Sequence, residues 1–237
     1  MPVVNIFDYL HSNPYPGRGI LIGGSPGANN AVIAYFIMGR SENSRNRVFV
    51  EDGNDIRTKA FDPAKLSDPS LVIYRAVTTS GKKTIVTNGD QTDTIIEHLN
   101  SGRSFESALR TREYEPDPPN YTPRISGIVS ETGTYKLSIL KCGDGEGNAC
   151  DRYFFDYGAL RGGIGHFIST YKTDGDPLPS FTGEPLEISL PDVGAAELSG
   201  MLWNSLNAEN RVSLFVRYID IETDKTESAI INRHEEI

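Results

Sequence analysis

The chain has 237 residues and a formal net charge of −9 at pH 7, with 38% hydrophobic and 23% charged residues. This length supports one large domain or two small ones, and the composition is that of an ordinary globular protein. An acidic chain argues against broad nucleic-acid binding, which needs a basic face, but a local cationic cluster can still hold a small anion.

Strands dominate the first 90 residues. Five short runs are rich in Val, Ile, Tyr and Phe and are bounded by Gly, Pro, Asn or Asp, which is typical of strands. They cover residues 17–24, 30–39, 46–52, 69–77 and 82–89. The polar stretch from Gly23 to Asn30 predicts a hairpin connection between the first two strands.

Two helices are predicted next. Residues 90–102 place apolar side chains on one stripe and stop at Gly102. Residues 103–114 offer Ser104 as the N-cap. The three prolines in residues 115–120 then predict an irregular loop.

The second half returns to strands. The pattern predicts strands over 122–130, 134–142, 151–158 and 165–173, then a helix over 192–210 with Asp192 as its cap, then a closing hairpin of 211–223 and 225–234. No repeat or long linker interrupts the chain, so we expect one domain over residues 1–237. Two antiparallel-leaning sheets with helices on their outer faces define an α+β layered fold.

Several familiar sites are not predicted. No window approaches 18 uninterrupted apolar residues, and the start lacks a secretory pattern, so we expect a cytoplasmic protein with no membrane partner. Cys142 and Cys150 flank a short Gly-rich loop; a disulfide there is one alternative, but without a secretion signal we favour two reduced thiols. No recognisable spacing of metal ligands occurs, and no metal or cofactor is predicted.

The segment "MGRSENSRNRVF" (38–49) brings three arginines together. Arg40, Arg45 and Arg47 present planar forks of donors that match phosphate geometry, and Ser41 adds a neutral donor. The alternative is a solvated turn with surface charges.

The segment "VTNGDQTD" (86–93) joins a strand to a helix start. Asn88, Asp90 and Thr92 lie where the chain reverses, so their polar groups could meet a ligand. The alternative is turn chemistry with helix capping.

The segment "EYEPDPPNYTPRISG" (113–127) places carboxylates before a proline-rich loop. Glu115 and Asp117 precede Asn120, Thr122 and Arg124, which lead into an apolar strand. An arginine beside carboxylates and amides suits a site that orients a ligand, whereas the alternative is a surface loop with a salt bridge.

Taken in this order, these segments resemble the IMP cyclohydrolase family of the archaeal type, which also has bacterial members. The matching stretches are "GRGILIGG", "AYFIMGRSENSRNRVF", "TNGDQTDTII" and "NYTPRISGIV". The resemblance implies a four-layer αββα sandwich like that of amino-terminal nucleophile hydrolases, but without use of such a nucleophile. That agrees with the absence of Ser, Thr or Cys at position 2.

The resemblance also implies a reaction, the last step of purine synthesis. The carboxamide nitrogen of a formamidoimidazole carboxamide ribonucleotide attacks the formyl carbon, and water leaves to give inosine monophosphate. An enzyme would orient the two arms and supply a base and a proton donor. A purine ribonucleotide is then the expected partner, and the fold family is compatible with a homo-oligomer.

The resemblance assigns roles to individual residues. It implies a 5′-phosphate clamp of Arg40, Arg45 and Arg47 with Ser41, and Arg18 is a further candidate. Binding roles fall to Asp90, Thr92, Asn120 and Thr122, and catalytic roles to Asn88, Arg124, Tyr74 as hydroxyl donor and Glu115 as carboxylate. Two points stay open: which arginines touch the phosphate, and whether Glu115 or Asp117 is the carboxylate.

Two other readings compete with this one. A purine-nucleotide sensor would keep the phosphate clamp and bind the nucleotide without turnover. A hydrolase on the same fold would need Cys142 as nucleophile, but the surrounding acidic loop disfavours a reactive thiolate.

Overall fold

The computed structural model describes residues 2–66, 69 and 71–235. Its strands, in chain order, are β1 (Val4–Asn5), β2 (Arg18–Gly24), β3 (Asn30–Met38), β4 (Val48–Asp52), β5 (Asp55–Lys59), β6 (Arg75–Ser80), β7 (Lys83–Thr87), β8 (Arg124–Val129), β9 (Tyr135–Cys142), β10 (Cys150–Tyr157), β11 (Ile164–Ser169), β12 (Leu186–Ser189), β13 (Arg211–Asp220) and β14 (Thr226–Asn232). Its α-helices are α1 (Ile6–Ser12), α2 (Glu42–Arg45), α3 (Gln91–Asn100), α4 (Phe105–Leu109) and α5 (Ala195–Ser205).

The strands form two seven-stranded sheets. Sheet A has the order β1-β12-β11-β2-β3-β13-β14, and sheet B has the order β10-β9-β8-β7-β6-β5-β4. All pairings in sheet B are antiparallel, and in sheet A only β1 runs parallel to its neighbour β12. The predicted α+β class with two mostly antiparallel sheets is confirmed.

Three apolar clusters show how the layers stack. One fills the space between the sheets, with Ile20, Ile33 and Phe215 of sheet A against Ile125 and Leu137 of sheet B. A second packs α1 and α5 on the outer face of sheet A, and a third packs α3 and α4 on the outer face of sheet B. A strand alternates its side chains between its two faces, and both faces of β2 and β3 are buried. Their sequences are therefore nearly continuous apolar runs. The four-layer αββα arrangement follows.

Most predicted elements agree with the structure, with some shifts. The β2–β3 hairpin is present, Ser104 caps α4, and Gly102 ends α3 with a positive φ of 73°. The strand predicted over 69–77 lies at Arg75–Ser80 instead, and its residue Ser70 falls outside the described residues. The helix predicted over 103–114 ends at Leu109, and α5 is capped by Gly194, so the prediction of Asp192 as its cap was wrong.

Along the described chain, helices long and apolar enough to span a membrane do not occur.

Candidate functional site

The candidate site lies at one end of the sandwich, where β2 and β8 both begin. Arg18 is the first residue of β2 in sheet A, and Arg124 is the first residue of β8 in sheet B. Three connecting segments cover this end: residues 39–47 after β3, residues 110–123 before β8, and residues 170–181 after β11. Both sheets therefore contribute a cation to the same region.

A polar cavity of about 210 Å³ opens between these segments. Its walls include four residues predicted to bind substrate, Arg40, Ser41, Asn120 and Thr122, and two further candidates, Arg18 and Asp117. Arg18 reaches the same cavity from β2, together with Tyr15, Ser44, Asp117, Tyr171 and Leu178. The first and third polar segments of the sequence thus meet at this cavity.

Three charged side chains near the cavity keep unpaired polar atoms. Among the described residues, Arg18 Nε, Arg47 Nη2 and Glu115 Oε1 are buried atoms without a hydrogen-bond partner. Arg47 is 1% exposed and Glu115 is 2% exposed, and charged groups are almost never buried in this way without full pairing. Buried, unpaired donors and acceptors of this kind are suited to a polar ligand.

Burial sets the pKa values in this cluster. Desolvation raises the pKa of the Glu115 carboxyl, and the positive charges of Arg18 and Arg124 offset only part of that rise. Desolvation lowers the pKa of Arg47, and repulsion from Arg18 lowers it further, although a guanidinium still stays charged at neutral pH. Glu115 is therefore shifted towards the pKa range in which a carboxyl exchanges protons near neutral pH.

Tyr74 joins this cluster from the segment before β6. It is 5% exposed, and its hydroxyl oxygen lies 2.6 Å from that of Tyr35, a fully buried residue of β3. Burial raises the pKa of Tyr74, while the charges of Arg47 and Arg18 lower it in part. Tyr35 shows a raised pKa for the same reason, so both phenols stay protonated at neutral pH.

A bonded network holds Arg124 in place. Its Nη1 donates to Gln91 Oε1 at 2.8 Å and lies 2.7 Å from Asp90 Oδ1. Asp90 Oδ2 accepts from Arg112, so the carboxylate bridges two arginines. A Cβ at Gly89 would lie 2.4 Å from Arg124 Nη1, which is why a residue without a side chain is found there.

Two residues of the second polar segment are used inside the protein. Asn88 accepts from the backbone N–H of Ile125 and donates to the carbonyl of Pro123, which joins the β7–α3 corner to β8. Thr92 is fully buried and donates to the carbonyl of Arg75. Both side chains are engaged with backbone groups of neighbouring elements, so the geometry gives them positioning contacts.

The three arginines of the first segment point in different directions. Arg40 is exposed at the cavity, pairs with Asp174 at 2.7 Å and lies over the ring of Tyr15. Arg45 donates from Nε to the carbonyl of Gly39 and from Nη2 to Asn210. Arg47 turns inward: its Nε donates to the carbonyl of Ser44, and its Nη2 has no hydrogen-bond partner among the described residues. Arg40 precedes the one-turn helix α2, which Ser41 caps; Arg45 is the last residue of α2, and Arg47 follows it.

The third segment shows how its two carboxylates differ. Asp117 accepts from the backbone N–H and the hydroxyl of Thr122, so it stabilises the turn of its own loop. Asn120 Oδ1 accepts from the N–H of Leu178 and ties the loop to its neighbour. Glu115, in contrast, keeps a free oxygen.

Sequence reasoning missed several members of this site. Tyr35 is hidden in an apolar strand, Tyr171 lies in a segment read as plain strand, and Gln91 looked like an ordinary helix residue. The Tyr171 hydroxyl lies 2.6 Å from Thr122 Oγ1, and Gln91 also donates to Asn88 and Ile125. The one available signal was the polar hydroxyl of Tyr35 in β3, a strand that is buried on both of its faces.

A larger cavity of about 400 Å³ lies elsewhere, between α4 and the outer face of sheet B. It is lined by Lys83, Arg103, Glu106 and Lys136 among others, and Lys136 already pairs with Glu106 and Asp156. None of the unpaired buried charges borders it. Arg18, Arg47 and Glu115 therefore lie away from the larger cavity.

Buried arginines, a carboxyl with a raised pKa and a tyrosine pair thus lie together near a small polar cavity at one end of a four-layer sandwich. A family model described as "IMP cyclohydrolase-like protein" matches residues 15–225, and the chain belongs to this family.

Individual relatives of the chain are named IMP cyclohydrolase. The IMP cyclohydrolase of Methanocaldococcus jannaschii is 26% identical over 215 residues, which cover 87% of this chain and 94% of that protein. The IMP cyclohydrolase of Methanocella arvoryzae is 31% identical over 134 residues, covering 54% of this chain and 64% of the relative. That of Methanococcus maripaludis is 30% identical over 126 residues, covering 51% and 61%. The chain thus matches less than two thirds of the length of the last two relatives.

Proposed function

We propose that this protein is an IMP cyclohydrolase, which closes the purine ring of a formamidoimidazole carboxamide ribonucleotide with loss of water. The observation that carries the proposal is the buried Glu115 carboxyl with a free oxygen, in one cluster with Tyr74, Arg18 and Arg47. Membership of the family and the names of its relatives support the same reaction.

The cavity mouth suits the phosphate end of the substrate. Arg40 is exposed there, and its guanidinium can exchange Asp174 for a phosphate dianion, the stronger acceptor. Arg18 and Arg47 then face the imidazole and its two arms, with their unpaired nitrogens available to carbonyl oxygens. Arg45, whose guanidinium bonds to Gly39 and Asn210, holds the loop in this proposal.

Ring closure needs two proton movements. The carboxamide nitrogen bonds to the formyl carbon and loses one proton, and the ring-forming formamide nitrogen loses another. Both protons end on the former formyl oxygen, which departs as water. Glu115 has the free, buried carboxyl oxygen to take the proton from the attacking nitrogen. Asp117 is excluded from this role because both its oxygens hold Thr122.

Tyr74 is the proposed donor to the departing oxygen. Its raised pKa keeps the proton in place until negative charge grows on the oxygen. Arg47 and Arg18 stabilise that charge, and a fixed donor of this kind contributes about 3 kcal/mol to transition-state stabilisation. Arg124, held by Asp90 and Gln91, sets the position of the Glu115 carboxylate by charge.

The test is a pair of measurements on the same preparation. Purified protein is incubated with the formylated ribonucleotide, and formation of inosine monophosphate is followed by absorbance; binding of inosine monophosphate is measured by calorimetry. Turnover that falls about 10²–10⁴-fold in Glu115→Gln and Tyr74→Phe is the expected result. Tyr218→Phe serves as control, because Tyr218 packs in the outer cluster of sheet A.

Each outcome is informative. Tight binding without turnover would refute the enzyme and leave the nucleotide sensor. If the protein shows no binding and no turnover, a purine-nucleotide site is refuted altogether. A separate variant tests the phosphate contact at the cavity mouth. We expect Arg40→Ala to raise KM about tenfold with kcat little changed, because one hydrogen bond to a charged group is lost.

A further inference from the structure

Cys142 and Cys150, the two cysteines of the chain, lie directly opposite each other. They end β9 and begin β10, and the antiparallel register pairs Cys142 with Cys150. Residues directly opposite in antiparallel strands project their side chains from the same face of the sheet. The two thiols are half-buried and not bonded to each other.

The position of this cysteine pair in the hydrogen-bonding pattern of the hairpin suits a disulfide bridge. The next pair along the hairpin is joined by the N–H of Gly143 donating to the carbonyl of Ala149 at 2.9 Å. Hydrogen-bonded and non-hydrogen-bonded pairs alternate, so Cys142 and Cys150 form a non-hydrogen-bonded pair, with Cα atoms typically about 4.5 Å apart. That spacing falls within the range in which a disulfide forms without backbone movement.

Both thiols also contact Tyr114, the residue before Glu115. The Cys142 side chain hydrogen-bonds with the Tyr114 hydroxyl and donates to Asp144 Oδ1 at 3.2 Å. The Cys150 thiol reaches the backbone of Tyr114. A change in the covalent state of this cysteine pair therefore alters the contacts of Tyr114, the residue next to Glu115.

The loop between the cysteines makes a second contact with the same segment. The Tyr121 hydroxyl donates to the carbonyl of Glu146 at 3.0 Å, and a Cβ at Gly147 would lie 2.7 Å from the Tyr121 ring. Tyr121 stands between Asn120 and Thr122, which border the cavity. The hairpin thus touches the segment 114–122 at both of its ends.

We propose that Cys142 and Cys150 form a reversible disulfide that restrains segment 114–122. The oxidant would be a low-molecular-weight disulfide. One cysteine thiolate attacks a sulfur of that disulfide and releases one small thiol; the other cysteine then attacks the mixed disulfide and releases the second. Two protein thiols are oxidised, one small disulfide is reduced to two thiols, and a closed loop of nine residues results.

The first experiment asks whether the bridge forms. The full chain is incubated with oxidised or reduced glutathione as the probe and analysed by intact mass. The wild type should lose two hydrogens without an adduct and remain a single chain on a non-reducing gel. Cys142→Ser and Cys150→Ser should each carry one glutathione instead. A wild type that keeps glutathione adducts, links two chains or stays fully reduced would overturn the proposal.

The second experiment asks whether the bridge restrains the segment. Amide hydrogen exchange is compared between oxidised and reduced wild type, with Cys150→Ser under both conditions as control. Peptides covering residues 113–122 should exchange several-fold more slowly in the oxidised form, and Tm should rise by about 5 °C for a loop of this size. Tyr121→Phe should still form the bridge but show a smaller exchange difference. Equal exchange in the two forms of the wild type would refute the restraint. Neither readout depends on turnover, so the result stands apart from the proposed reaction.

Discussion

Replacing Tyr35 by phenylalanine removes one hydroxyl from the centre of the site and leaves the ring. Tyr35 is fully buried, and its ring packs against Phe49 with centroids 5.5 Å apart, a contact that phenylalanine preserves. The hydroxyl lost is the one 2.6 Å from the Tyr74 hydroxyl. We expect Tyr35 to donate to Tyr74, which leaves the Tyr74 proton free to point at substrate.

The size of the effect follows from the charge that develops. If Tyr74 gives up its proton, Tyr35 donates to a growing phenolate, and a hydrogen bond to a charged group contributes about 1.5–3 kcal/mol. Tyr35→Phe should therefore lower kcat about 10- to 100-fold with KM little changed. The ground-state hydrogen bond between two neutral phenols is weaker, so the free energy of unfolding should fall by only about 1 kcal/mol.

The assay is a double-mutant cycle with a pH profile. The kcat values of wild type, Tyr35→Phe, Tyr74→Phe and the double variant are compared with Tyr218→Phe as packing control. If Tyr35 acts through Tyr74, its removal should have no further effect on kcat once Tyr74 is phenylalanine. The Tyr35 hydrogen bond lowers the pKa of Tyr74, so the alkaline limb of the profile should move to higher pH in Tyr35→Phe.

Additive losses in the double variant would refute this reasoning, because they would show that Tyr35 acts independently of Tyr74. A fall in kcat matched by an equal loss in Tyr218→Phe would assign the effect to general packing.

Two further predictions concern the supports of the site, and a third concerns His166, a buried residue of β11 that hydrogen-bonds with Tyr135 away from the cavity. Gly89→Ala should displace Arg124, since the added Cβ lies 2.4 Å from its Nη1; we expect kcat to fall at least tenfold, read by steady-state kinetics with the circular dichroism spectrum unchanged. The pKa of Asp90 is lowered: partial burial opposes this, but Arg124 and Arg112 outweigh it. Asp90→Asn should therefore cost up to about 1 kcal/mol of unfolding free energy at pH 7, measured in urea; the difference should shrink as pH falls below about 4 and disappear only below the lowered pKa of Asp90. Burial lowers the pKa of His166 to about 4, so the unfolded state takes up its proton first and the protein should lose roughly 2–3 kcal/mol between pH 6.5 and 4; His166→Gln should abolish that slope, and an unchanged slope would contradict the assignment.

Most of the fold could be predicted because most of its strands have a recognisable pattern of apolar residues in the sequence. The runs that became β2 and β3 are apolar on both faces, which only a strand buried between two layers requires. What was missed is short or polar. The strand β5, "DIRTK", buries only Ile56 and Thr58, and two alternating positions are too few to show a period. The helix α1 has one pair of buried residues, Ile6 and Leu10, and its Asn5 cap was the single further signal.

The site was predictable only to the level of segments. Residue type located the three polar segments, and the fold brings the first and third to one cavity. The orientation of each arginine side chain could not be predicted from the sequence, because a single helical turn decides which way each arginine points. Arg40 faces the cavity, Arg45 bonds to Gly39, and Arg47 is buried beneath.

The charges at this end of the sandwich do not balance, and that imbalance argues for an anionic ligand. A structural cluster would pair each buried guanidinium with a carboxylate, because an uncompensated buried charge costs several kcal/mol. Here Arg124 shares Asp90 with Arg112, and the charge of Glu115, a carboxyl with a raised pKa, acts on both Arg18 and Arg47. In a chain of net charge −9 carboxylates are plentiful, yet within residues 2–66, 69 and 71–235 none forms an ion pair with Arg18 or Arg47. In the proposed function, Arg40 takes the phosphate, and the negative charge that grows on the departing oxygen becomes the partner of Arg18 and Arg47, so these two guanidiniums stabilise the transition state more than the bound substrate.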